Sequence, residues 1–170
     1  LIAWIIGLAH WVFGHQTWAV RLPACWIHLI TALLLWRGAL WLFGRQAGRL
    51  AALIWISLPA TGLGSFLIST DTPLLALWSA GLLAVCGIAS KRLSSPVGMG
   101  FAGLAFGAAM LAKYAAIYAI VGLMLIYLHG HMTRQKLFDW RDIGIALLAF
   151  GLAASPNIIW NFANEFSTVR

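Results

Sequence analysis

From residue 12 to residue 128 apolar runs follow one another with only short polar breaks, and that whole stretch carries a single acidic side chain, Asp71. Runs of roughly 20 apolar residues can satisfy their backbone N–H and C=O groups in lipid only by forming helices. Composition agrees: 62% of the residues are hydrophobic and 9% charged, and the mean hydropathy is +0.91, whereas a soluble domain has about 25% charged residues. The fold class that follows is all-α, a polytopic integral membrane protein.

The net charge of +7 would suggest a nucleic-acid partner in a soluble protein. Here the basic residues fall in short loops between apolar runs, where they act as topology signals, so nucleic acid is not expected. Cys25 and Cys86 have no CxxC spacing and are expected at opposite ends of their helices, which supports neither a disulfide nor a zinc site. His10, His15 and His28 lack metal-ligand spacing. No cofactor is called for, and a divalent metal finds no support in the spacing. The chain begins at Leu1 rather than Met and stops at Arg170 in mid-pattern, as a piece of a longer polypeptide would.

Residues 1–13 are too few to cross a hydrocarbon core, and Trp4 and Trp11 suit a helix lying in the interface. Spans are then expected at 22–43, with Pro23 in the first turn, and at 50–68, with a kink at Pro59. The next is 72–89. Residues 97–128 are too long for one crossing and too short for two ordinary ones. Lys91 and Arg92 precede this run, and Arg134, Lys136 and Arg141 follow it. The positive-inside rule puts both groups in the cytoplasm, so the number of crossings between them is even. The run therefore reads as a hairpin of two short helices, 97–112 and 115–128, with its vertex near Lys113 and Tyr114. With a last span at 143–160 the total is about six.

This topology gathers Arg37, Arg45, Arg49 and the other loop cations on the cytoplasmic side, with Trp36, Trp41 and Trp140 near that boundary. The outer side receives Trp18, Trp26 and Trp160 as an aromatic belt, together with Asp71, Lys113, Tyr114, Arg21, His10, His15, Asn157, Asn161 and Glu165. A carboxylate, an ammonium and several amides on one face suit a site that binds an anionic head group and moves a proton or stabilises a cation nearby. Each has a plainer alternative. Asp71 before Thr72-Pro73 could cap a helix, Lys113 could snorkel to the interface, Arg21 could anchor a helix end, and Asn157 and Asn161 could bond a neighbouring helix.

Several stretches occur in an order that resembles a known family: Leu1-Ile2-Ala3-Trp4, Phe13-Gly14, Val20-Arg21-Leu22-Pro23, Leu42-Phe43-Gly44-Arg45-Gln46-Ala47-Gly48, Thr70-Asp71-Thr72-Pro73-Leu74, Leu111-Ala112-Lys113-Tyr114 and Ser155-Pro156-Asn157-Ile158-Ile159-Trp160-Asn161. Together they are similar to the glycosyltransferase family 39 group of bacterial GT-C enzymes, which includes lipopolysaccharide galacturonosyltransferase-like, aminoarabinose transferase and protein O-mannosyltransferase members. The resemblance implies a bacterial inner-membrane enzyme that moves a sugar from a polyprenyl-phosphate donor to a periplasmic acceptor, be it lipid A, another glycan or a protein. It also implies an acidic motif before Leu1 that supplies the main catalytic carboxylate, so residues 1–170 alone are expected to be inactive. By this likeness residues 1–13 look like the amphipathic juxtamembrane helix of the first outer loop and Asp71 like the acid at the second; with the reading of the outer face, Asp71 is the catalytic candidate and Lys113, Tyr114, Arg21, Asn157 and Asn161 are substrate-binding candidates. The rival classes are a transporter or flippase, which would place ionisable groups near the midplane of repeated halves, and a non-catalytic scaffold.

Overall fold

The computed structural model describes residues 1–67 and 69–164, and every regular element among them is helical. In order these are α1 (Ile2–Phe13), α2 (Thr17–Phe43), α3 (Arg45–Ser57), α4 (Pro59–Phe66), α5 (Asp71–Ala89), α6 (Ser95–Met110), a 3-10 turn (Tyr114–Ile117), α7 (Tyr118–Thr133) and α8 (Trp140–Ala163). Four of them are long and apolar enough to cross a bilayer: α2, α5, the 3-10 turn joined to α7, and α8. The bent pair α3 and α4 makes a fifth if it is one span. Against the expected six, the short element is α6: its 16 residues reach about 24 Å of a core about 30 Å thick.

Two prolines have local consequences. Pro59 forces Leu58 into an extended conformation, as the residue before a proline prefers, and α3 and α4 meet there at 58°. Pro23 does not open a helix, as the sequence suggested. α2 starts earlier, at Thr17, and carries Pro23 in its interior. The ring removes only the bond to the Ala19 carbonyl, and the helix continues because Ala24, His28, Thr31, Ala32 and Gly38 extend its buried face beyond the proline.

Small residues set the helix spacing. At the turn between α2 and α3, Gly44 takes a left-handed φ of 91°, and a Cβ on Gly48 would come within 2.9 Å of the Trp36 carbonyl oxygen. On α6, Gly103 and Gly107 lie directly against the backbone of Ala146 and Phe150 in α8. Gly81 of α5 accepts the Phe106 ring. Around these contacts Ala84, Val85, Ile88, Met99, Ala102 and Ala146 form the buried core, closed by Ala119 and Leu123 of α7 and by Phe138. In lipid, such close backbone approach and van der Waals contact drive helix association.

These contacts also fix helix direction. Gly38 of α2 meets Leu83 and Cys86 of α5, so α2 and α5 run the same way, while α6 and α8 both run back against them. The loops at residues 44–49, 90–92 and 134–141 therefore share one end of the bundle. The start of α5, the break after α6 and the last turns of α8 share the other.

Candidate active site

α5 opens with Asp71, and no side chain caps the helix. The Asp71 carboxylate instead accepts a hydrogen bond from Lys113 Nζ at 2.8 Å. Its charge still favours the positive end of the α5 dipole. Lys113 reaches it from a break: α6 ends at Met110, Lys113 N–H donates to the Ala109 carbonyl at 3.1 Å, and Lys113 itself is extended, with φ −158° and ψ 135°, before the 3-10 turn begins. Small side chains let that turn lie close to α5, with Ala109, Ala116 and Leu74 forming a second buried cluster.

The next residue tethers the break to α8. Tyr114 O–H donates to Asn157 Oδ1 at 3.3 Å, and Asn161 Nδ2 donates to Tyr114 Oη at 3.4 Å and to Asn157 Oδ1 at 3.1 Å. Proline at 156 deprives the Leu152 carbonyl of its helical N–H partner. Ser155 Oγ takes that place at 2.8 Å, which keeps α8 continuous through the two asparagines. Consecutive residues 113 and 114 thus join the start of α5 to the last turns of α8.

Arg21 is at the same end but apart. It lies with Thr17 and Val20 against Phe66 and Leu67, in an open groove of about 350 Å³. His10 and His15 stand ring to ring at 4.8 Å near the α1–α2 turn. Glu165 lies outside the described residues. Thr72, which the sequence did not single out, is buried beside Asp71 with a hydroxyl that has no hydrogen-bond partner. Among the described residues no three His, Cys, Asp or Glu side chains converge. Cys25 Sγ donates to the Ser65 carbonyl at 3.4 Å, and both cysteines are free.

The ion pair is half exposed, 50% on Lys113 and 52% on Asp71. A pair so open contributes roughly 0–1 kcal/mol to stability, so its value to the fold is small. Its value as a site is larger. The ammonium keeps two N–H donors beyond the one given to Asp71, beside the polar cluster of Tyr114, Asn157 and Asn161. That set can hold the oxygens of a phosphate ester.

Residues 1–160 match the family described as dolichyl-phosphate-mannose-protein mannosyltransferase. The chain is similar to the lipid A galacturonosyltransferase RgtD of Rhizobium johnstonii, 31% identical over 172 residues that cover 100% of this chain and 35% of that protein. It is also similar to the undecaprenyl phosphate-alpha-4-amino-4-deoxy-L-arabinose arabinosyl transferase 1 of Sodalis glossinidius, 29% identical over 168 residues that cover 94% of this chain and 28% of that protein. The chain thus spans about a third of the length of these curated relatives. No solved structure matches it. The family match takes in Arg21, Asp71, Lys113, Tyr114 and Asn157 on an all-helical, membrane-type fold, and the chain belongs to the dolichyl-phosphate-mannose-protein mannosyltransferase family of GT-C proteins.

Proposed function

We propose that this chain is the donor-binding core of a membrane glycosyltransferase, which passes a sugar from a polyprenyl-phosphate donor to a glycan, lipid A or protein acceptor on the periplasmic face of the bacterial inner membrane. The observation that carries the reading is the Lys113–Asp71 contact at 2.8 Å, set beside Tyr114, Asn157 and Asn161 at one end of the bundle. Asp71 and Lys113 sit at helix ends, as a site reached from the bilayer surface requires, rather than midway along a span.

In this reading the acceptor oxygen displaces the phosphate at the anomeric carbon: a C–O bond forms to the acceptor, the bond to the phosphate oxygen breaks, and the acceptor proton passes to a carboxylate. Lys113 holds the phosphate and offsets the charge that it gains on leaving. Asp71 works through Lys113. Asp71 accepts from Lys113 Nζ at 2.8 Å, so it serves as a positioning residue, and the proton acceptor is a different carboxylate. Tyr114, Asn157 and Asn161 orient the 3-10 turn that presents Lys113, and Arg21 meets the substrate at the edge of the site.

The reading is tested with the full-length protein in proteoliposomes, supplied with lipid A and with either polyprenyl-phosphate-linked or nucleotide-linked sugars. Transfer from the lipid-linked sugar alone is expected. Passage of the lipid-linked sugar across the bilayer without transfer would favour a transporter instead.

The active face is tested separately. Asn161 is buried, so the neighbouring exposed Asn164 is the better reporter. In a cysteine-free full-length background, Asn164→Cys in intact spheroplasts is expected to react with a membrane-impermeant maleimide and Lys91→Cys to stay unlabelled. The reverse labelling would move the site to the cytoplasm.

A further inference from the structure

At the end of the bundle opposite Asp71 and Lys113, two arginines converge on one indole. The guanidinium carbon of Arg37 lies 5.2 Å from the centroid of the Trp41 ring, and that of Arg92 lies 5.6 Å from it. Arg37 stands one turn before Trp41 on α2, whereas Arg92 arrives from the loop after α5. That loop is firmly held. The N–H groups of Arg92 and Leu93 both donate to the Gly87 carbonyl, at 2.8 and 3.0 Å, and a Cβ on Gly87 would come within 2.7 Å of Leu93 and 3.4 Å of Trp41.

Each cation gains from the indole face, and an anion beside them would offset the repulsion of two like charges around one ring. Among the described residues neither arginine has a carboxylate partner. The Trp41 indole N–H is itself buried without an acceptor. Trp41 and Leu93 also form one end of an apolar groove of about 460 Å³ that runs between α5 and α6, past Leu83, Phe101 and Leu104 to Leu77. An apolar trough thus ends at Trp41, beside which stand two guanidiniums with no carboxylate partner among the described residues.

We propose that this groove binds an anionic glycerophospholipid, with an acyl chain along α5 and α6 and the phosphate held by Arg37 and Arg92. Planar guanidiniums suit phosphate oxygens, and basic pockets between membrane helices favour anionic head groups. The site is separate from the Lys113 end and does not depend on the transfer chemistry.

The test uses delipidated full-length protein in mild detergent, with phosphatidylglycerol and phosphatidylethanolamine of identical acyl chains, and reads binding by native mass spectrometry. Phosphatidylglycerol is expected to bind on the order of tenfold more tightly. Arg37→Gln with Arg92→Gln is expected to erase that preference, and Arg37→Lys with Arg92→Lys to keep much of it. Ala105→Trp, which fills the trough, is expected to weaken both lipids. Unchanged phosphatidylglycerol affinity in the double glutamine variant, or in folded Ala105→Trp protein, would overturn the proposal. Displacement of the bound lipid by a polyprenyl phosphate would overturn it too, by giving the trough to the donor's own chain.

Discussion

Replacing Asp71 by Asn in the full-length protein is expected to lower sugar transfer by about 10²-fold while leaving the folded yield unchanged. The side chains are nearly the same size, and the helix does not lose a cap, because no side chain caps α5 in the first place. What disappears is the charge that holds Lys113 Nζ at 2.8 Å. An ammonium without that partner swings toward water, and a displacement of about 1 Å at a phosphate ligand is enough for such a loss. A purely structural role would leave the donor dependence alone. Here both kcat and the KM for the lipid-linked donor are expected to change, and Asp71→Glu is expected to recover part of the activity. Full turnover in Asp71→Asn would reduce the ion pair to surface chemistry.

The second large effect lies in packing. Gly103→Ala and Gly107→Ala each add one methyl group, but the methyl on Gly103 would meet the Ala146 backbone, with Cα and carbonyl carbon at 2.9 Å, and that on Gly107 would meet Phe150 Cα and Ala153 Cβ, also at 2.9 Å. Backbone cannot rotate aside as a side chain does, so α6 and α8 must separate. Overpacking of this kind costs about 1–3 kcal/mol per site, and the pair together is expected to remove most folded protein in fluorescence-detected size exclusion. Gly151→Ala on the same α8 has nothing within 4 Å of its new methyl and should be neutral or mildly stabilising, since Ala is the better helix former. Equal folded yields for Gly107→Ala and Gly151→Ala would contradict the close crossing. Because α6 leads to Lys113 and α8 carries Asn157 and Asn161, any surviving Gly107→Ala protein should also have weakened transfer.

Much of this was legible in the sequence because charge is so scarce in it. One acid in a long apolar stretch draws attention to Asp71, and one cation inside residues 97–128 does the same for Lys113. Apolar run length alone indicates an all-helical membrane fold. The pairing of Asp71 with Lys113 was not legible. It depends on helices whose order along the chain says nothing about their lateral contacts, and on a break whose cause is tertiary: small Ala109 and Ala116 letting the chain turn against Leu74. That Arg21 shares an end of the bundle with Asp71 follows from the topology signals, whereas its neighbours Phe66 and Leu67 are not readable from sequence order. Pro23 misled for a related reason. A proline favours a first turn locally, yet α2 already begins at Thr17, with Ala19 buried ahead of the proline.

The most direct test of the site is the affinity of folded full-length protein for a polyprenyl phosphate, compared between wild type and Lys113→Gln. A charged hydrogen bond to phosphate is worth roughly 1.5–3 kcal/mol, so Lys113→Gln is expected to weaken binding by about tenfold or more, and Lys113→Arg to retain part because the positive charge survives. Equal affinity in wild type and Lys113→Gln would take Lys113 out of the donor site and leave its pairing with Asp71 without a role in transfer.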